Sequence, residues 1–201
     1  MRIFYSDSPL KLDLYEWSIF LAGPTPRSTD VPSWRPEAIA ILESLGYDGQ
    51  VIIPEHEFSK KRLCGQKLSQ EEFDRRYLTQ VEWENEGTEK CSRVVFWIPR
   101  KLDTMPAFTT NVEFGRYVKS DKIVYGRPPE SQKNLYLDWL YKKFNDLPIH
   151  ENLTDLLKAS IRTRQISSNC SCLDTSCRSF DNVNRIVICK KCGKIVKDWY
   201  L

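Results

Sequence analysis

The chain has 201 residues, 41% of them apolar, 12% aromatic and 28% charged with mixed sign, and a net charge of +3. That length suffices for one well-buried core plus a small appendage, and the charge is too small to mark the whole chain as a nucleic-acid binder. No apolar run is long enough to span a bilayer, and residues 1–7 lack the apolar stretch of a signal peptide, so the expected address is cytoplasmic with no membrane contact.

In chain order, Arg2 to Tyr5 and Lys11 to Tyr15 read as an edge hairpin. Ser18-Ile19-Phe20-Leu21-Ala22 reads as a buried strand ended by Gly23-Pro24. A helix opens at Pro36 and is closed by Gly46, its apolar positions keeping to one face. Val51-Ile52-Ile53 is a second strand, stopped by Pro54. Ser69-Gln70-Glu71-Glu72 has the form of a capping box and starts a helix running through Trp83 and Glu84 towards Gly87, with a continuation to Cys91. Val94 to Ile98 is the third strand, about 111–119 a helix, and Ile123-Val124-Tyr125 the fourth strand, ended by Gly126. Gln132 to Phe144 and Asn152 to Arg164 complete the helices. Strand–helix alternation predicts an α/β fold, a Rossmann-like (flavodoxin-like) mostly parallel sheet flanked by helices. The expected division is residues 1–166 for this domain and 167–201 for a cysteine-rich module.

In such sheets ligands gather at the carboxyl ends of the strands. There the sequence places Gly23, Pro24, Thr25 and Arg27, then Trp34 and Arg35, then Glu55, then Thr109-Thr110-Asn111-Val112-Glu113-Phe114-Gly115, then Gly126-Arg127. A carboxylate at the start of a helix is favoured as the anion by the helix dipole, which makes Glu113 a candidate nucleophile or base. An anionic group, an amide, small residues and aromatic walls suit a sugar or nucleoside better than a bare phosphate. Neither a dinucleotide fingerprint nor a P-loop is present. Trp34, Trp83 and Trp97 fit either a base-stacking wall or the core. Arg27 holds a phosphate or only its loop, and Glu55 binds substrate or caps a turn.

The ordered set Ile19-Phe20-Leu21-Ala22-Gly23-Pro24, Ser33-Trp34-Arg35, Pro54-Glu55, Gln80-Val81-Glu82-Trp83-Glu84, Phe96-Trp97-Ile98-Pro99 and Thr110-Asn111-Val112-Glu113-Phe114-Gly115 resembles the nucleoside deoxyribosyltransferase-like proteins of bacteria and their phages, over about residues 16–145. The resemblance implies cleavage or exchange of the N-glycosidic bond of a nucleoside or nucleotide, with no cofactor for catalysis. It makes Glu113 the nucleophile that takes the sugar and Glu84 the proton-handling acid. It also implies a homo-oligomer in which a neighbouring subunit helps close the site. Gly23, Pro24, Arg27, Trp34, Glu55, Trp83, Thr110 and Asn111 are the expected substrate-binding residues, Asn111 reaching a ribose hydroxyl or orienting Glu113. The better-known transferases carry a further aspartate before the nucleophile, whereas no acid stands between Asp103 and Glu113 here. Transfer to a base, hydrolysis by water and cleavage of a nucleotide all stay open. A non-catalytic nucleotide-sensing or nucleic-acid-associated module is the alternative.

Five of the seven cysteines crowd the last stretch, where Cys189-Lys190-Lys191-Cys192-Gly193 has the form of a zinc knuckle. Cys172 and Cys177 supply a second pair, with Cys170 as an alternative ligand, for a structural Zn2+ held by four thiolates. Residues 185–188 and 194–197 read as short strands of a zinc ribbon. Residues 151–201 hold nine Lys/Arg against five Asp/Glu, so this basic end is the expected place for any nucleic-acid contact.

Overall fold

Five apolar strands make one parallel sheet: β1 (Arg2–Tyr5), β2 (Ser18–Ala22), β3 (Gln50–Ile53), β4 (Arg93–Trp97) and β5 (Ile123–Gly126), in the order β1-β3-β2-β4-β5. The structure, a computed structural model, describes residues 1–14, 16–28, 30–56 and 69–161, and three strands within 178–198. Every residue of β2, β3 and β5 is buried, as is all of β4 beyond Arg93. Continuous apolar runs without alternation are what a parallel sheet covered on both faces requires.

The helices are α1 (Arg35–Ser44), α2 (Gln70–Lys90), α3 (Phe108–Tyr117), α4 (Leu135–Phe144) and α5 (Leu153–Ser160). Pro stands in the first turn of α1, and Gly46, at φ 70°, ends it in a conformation that favours glycine. The Ser69 hydroxyl accepts from the Glu72 amide at 3.2 Å and starts α2, as the capping box predicts. Gly87 lets α2 approach the sheet: a Cβ there would stand 2.9 Å from the Phe20 ring. Phe114 brings α3 onto the same core, its ring 5.2 Å from Phe96 and 5.0 Å from Tyr125 in edge-to-face contacts. No helix among the described residues is long and apolar enough to cross a membrane.

Among the described residues the edge hairpin is not formed. β1 pairs parallel with β3, and residues 11–14 are not a strand. The Gln50 side chain takes the place of a partner strand there, accepting from the Asp13 amide at 2.8 Å and donating to its carbonyl at 2.7 Å. The third helix opens at Phe108 rather than near 111, directly after Ala107 in the left-handed region, φ 61°. The fourth opens at Leu135 rather than 132, after Lys133 at φ 54°. The fifth is capped by Asn152 and ends at Ser160.

Residues 162–201 form a second compact unit. Its described part is an antiparallel sheet of β6 (Arg178–Asp181), β7 (Ile186–Cys189) and β8 (Ile195–Asp198), in the order β6-β7-β8. Apart from the backbone of Cys189, the expected metal ligands Cys170, Cys172, Cys177 and Cys192 lie outside the described residues.

Candidate active site

The chain leaves β2 for β3 on one side and later returns to β4 on the other. The carboxyl ends of β2 and β4 therefore flank the point where the connections diverge, the place such sheets reserve for ligands. A cleft of about 880 Å³ opens there. Its walls come from the loop after β2, the end of β3, α2, and the start of α3 with the loop before it.

Gly23 joins the two strand ends. Its φ is 152°, and a Cβ would lie 2.1 Å from the Trp97 carbonyl oxygen, so no other residue fits without moving backbone. Behind it stands Arg35, fully buried at the first position of α1. Its guanidinium donates to the carbonyls of Leu21 (3.1 Å) and Gly23 (2.8 Å), to the Thr25 hydroxyl (3.2 Å) and to the Glu55 carboxylate. Glu55 also accepts from Ser33 Oγ at 3.0 Å. Burial lowers the Arg35 pKa, and Glu55 opposes that fall. This group is a frame: it ties the ends of β2 and β3 to the start of α1.

Glu84 and Glu113 face the cleft from α2 and α3. Their placement follows from how the helices are joined. Thr88 Oγ1 and Tyr117 Oη lie 2.9 Å apart, and Arg116 bonds to both Asn85 and Glu89. Glu84 and Glu113 each stand four residues, about one turn, before that buried contact on their own helices, so their side chains emerge on neighbouring faces at the cleft. Burial raises the Glu84 carboxyl above its ordinary range, opposed by the Gln80 amide that donates to it at 2.9 Å and by Arg35. Burial first, and the Glu84 charge second, push Glu113 up to about 7, while Arg35 pulls it down.

This corrects the helix-dipole expectation. With α3 beginning at Phe108, Glu113 sits in the second turn, where the dipole effect has faded. Desolvation and a second carboxylate set its proton affinity instead.

Of the other expected site residues, Gly23, Pro24, Arg27, Glu55 and Thr110 line the cleft. Glu55 does so with its carboxylate already engaged by Arg35 and Ser33. Three are elsewhere. Trp34 is buried behind the wall, its indole donating to the Pro24 carbonyl at 3.2 Å and its ring facing Arg35. Trp83 is core, because it points with Gly87 at the sheet, and its indole donates to the Ser8 carbonyl at 2.9 Å. Asn111 turns away from the cleft and accepts from Arg100, which also donates to the Lys133 carbonyl at 2.8 Å.

Gln80, Tyr77, Phe108 and the frame role of Arg35 were not anticipated. Arg35 did carry a signal: a cation at a helix amino terminus opposes the dipole, so it needs a strong tertiary reason to be there. Among the described residues no cluster of three or more His, Cys, Asp or Glu offers a metal site.

No curated protein matches the sequence. The family model for "nucleoside 2-deoxyribosyltransferase like" proteins matches residues 16–130. That span is more than half of the chain and runs from just before β2 through β5, so it contains Gly23, Arg35, Glu55, Glu84 and Glu113. With the cleft at the strand ends and the two acids facing it, the match establishes that this chain belongs to the nucleoside 2-deoxyribosyltransferase-like family.

Proposed function

We propose that the protein cleaves or exchanges the N-glycosidic bond of a nucleoside or nucleotide through a glycosyl ester on Glu113. The observation that carries the reading is the pair of half-buried carboxylates, Glu84 and Glu113, facing one cleft from two helices joined in the core. Glu113 Oε attacks the anomeric carbon, the C–N bond breaks, and the departing base nitrogen takes the proton held by Glu84. In the second step a base nitrogen or a water attacks the same carbon. The ester opens, Glu113 returns as the carboxylate, and the proton of the acceptor goes back to Glu84.

Below about 7 the pair holds at least one proton. In the empty cleft that proton favours Glu113, because Gln80 stabilises Glu84 as the anion. Positive character growing at the sugar reverses the preference, drawing the negative charge to Glu113 and leaving the proton on Glu84. The active form is thus the singly protonated pair. Its remaining proton leaves at about 7, so kcat/KM should fall as pH rises through about 7 and fall again in acid when both groups are protonated. In Glu84→Gln burial still raises Glu113 but the neighbouring charge no longer adds to it; with no second acid the upper limb should vanish and a weak activity should rise with pH to a plateau.

Incubation with nucleosides and nucleotides, with and without an acceptor base, followed by chromatography of the products, tests the reading. Turnover lost in Glu113→Gln supports it. No turnover from any substrate, with tight binding indifferent to Glu113→Gln, makes the protein a nucleotide-sensing module instead. Free base without a new nucleoside marks a hydrolase.

For the second unit we propose one structural Zn2+ on Cys172, Cys177, Cys189 and Cys192, with Cys170 the alternative ligand. The spacing supports this, as does the pairing of Arg178 with Cys189, which sets the start of β6 beside the end of β7. Elemental analysis should find one zinc per chain; none after purification without chelator would refute the site.

A further inference from the structure

Beyond the two acids, the cleft presents, among the described residues, one guanidinium that the fold leaves uncommitted. Arg35 is excluded, since it is fully buried and four of its five N–H donors are engaged by Leu21, Gly23, Thr25 and Glu55. Arg27 is different. It lines the cleft, is exposed, and makes no ion pair among the described residues, although the same cleft holds Glu84 and Glu113. Two contacts hold it in place. Its amide donates to the Thr104 carbonyl at 3.1 Å, and its guanidinium lies 5.3 Å from the centroid of the Phe108 ring. Packing against a ring occupies the face of the guanidinium and leaves its in-plane N–H donors available, the fork that matches phosphate oxygens.

Its position relative to the reacting acid sets what it can recognise. Phe108 opens α3 and Glu113 follows five residues later, about 7.5 Å along the helix axis and about 140° around it, and both line the cleft. A furanose bound with its anomeric carbon at Glu113 can reach that far with its 5′ substituent, which brings the substituent to the guanidinium seated by Phe108. We propose that Arg27 is the specificity-determining residue for a 5′-phosphate, so that the substrate is a nucleoside 5′-monophosphate rather than a free nucleoside. A phosphate also belongs at this rim rather than deeper, because the Glu84–Glu113 pair repels an anion from the floor. The assignment rests on the function proposed above for where the anomeric carbon sits, though not on its chemistry.

The test compares ribo- and deoxynucleoside 5′-monophosphates with their parent nucleosides on the full chain, native and substituted. A bidentate charge-assisted contact should give the native protein a nucleotide preference in kcat/KM of about 100-fold. Arg27→Ala should bring that preference to near unity. Arg27→Lys should keep part of it, retaining charge but not the fork. Native turnover that favours the nucleoside, or a preference that survives Arg27→Ala, overturns the assignment while leaving Glu113-dependent catalysis standing. Titration calorimetry on Glu113→Gln separates the two claims when nothing turns over. Nucleotide binding weakened about 100-fold by adding Arg27→Ala upholds the phosphate site and refutes the catalytic reading. Binding of nucleotide and nucleoside with equal affinity refutes the phosphate site.

Discussion

Replacing Glu113 with glutamine is expected to abolish turnover and, above pH 7, to make the α/β domain more stable than the native protein. The first part follows from losing the proposed nucleophile. The second follows from the proton linkage of a buried acid. In the folded protein Glu113 titrates at about 7, above the ordinary 4.5. Below 4.5 both folded and unfolded chains carry the proton and the site contributes its full favourable share. As pH rises from 4.5 to about 7 the unfolded chain ionises first, and that share is lost. Above 7 the native protein bears the whole cost of a desolvated charge beside Glu84. At 1.36 kcal/mol per pKa unit, and allowing for a side chain that is only partly buried, the cost is about 2–3 kcal/mol. Denaturant unfolding at pH 8 should show Glu113→Gln more stable by that amount, and at pH 4 the two proteins should coincide. A variant no more stable at pH 8 would show that the acid is not strained in the folded state.

Arg35→Met should have the opposite effect, destabilising the domain by about 3–5 kcal/mol. The substitution leaves Glu55 in a nearly buried position without its cation and takes donors from the carbonyls of Leu21 and Gly23. Arg35→Lys should recover little, because one ammonium cannot reach Leu21, Gly23, Thr25 and Glu55 together. Removing both charges in Arg35→Met/Glu55→Met should restore most of the stability, since the largest penalty is the unpaired carboxylate. Melting curves of the three variants decide this. Equal loss in the single and double variants would mean that the carbonyl bonds, not the ion pair, dominate.

The sheet was legible because its strands are short uninterrupted apolar runs, each stopped by Gly, Pro or a polar loop, as at Gly23, Pro54 and Gly126. The two acids were legible only through the order of several motifs, since a lone glutamate on a helix carries no direction. Direction is what the sequence alone does not carry. Neighbouring helix positions differ by about 100°, so Trp83 and Glu84 part company, one to the core and one to the cleft. Asn111 is separated from Thr110 in the same way once α3 is known to open at Phe108. The inward course of Arg35 depends on carbonyls from β2 and a carboxylate after β3, partners that only the folded sheet brings together.

The contact between Thr88 and Tyr117 has a consequence for how this cleft can change over time. It lies in the core and fixes the helices that carry both acids, so a change that moves Glu84 relative to Glu113 also loosens the domain. Arg27 and Phe108 stand outside that bond and are exposed. Substitutions there can reshape the mouth of the cleft without loosening the core. The two acids are thus held by the packing of the core, while the mouth of the cleft is shaped by side chains the core does not depend on.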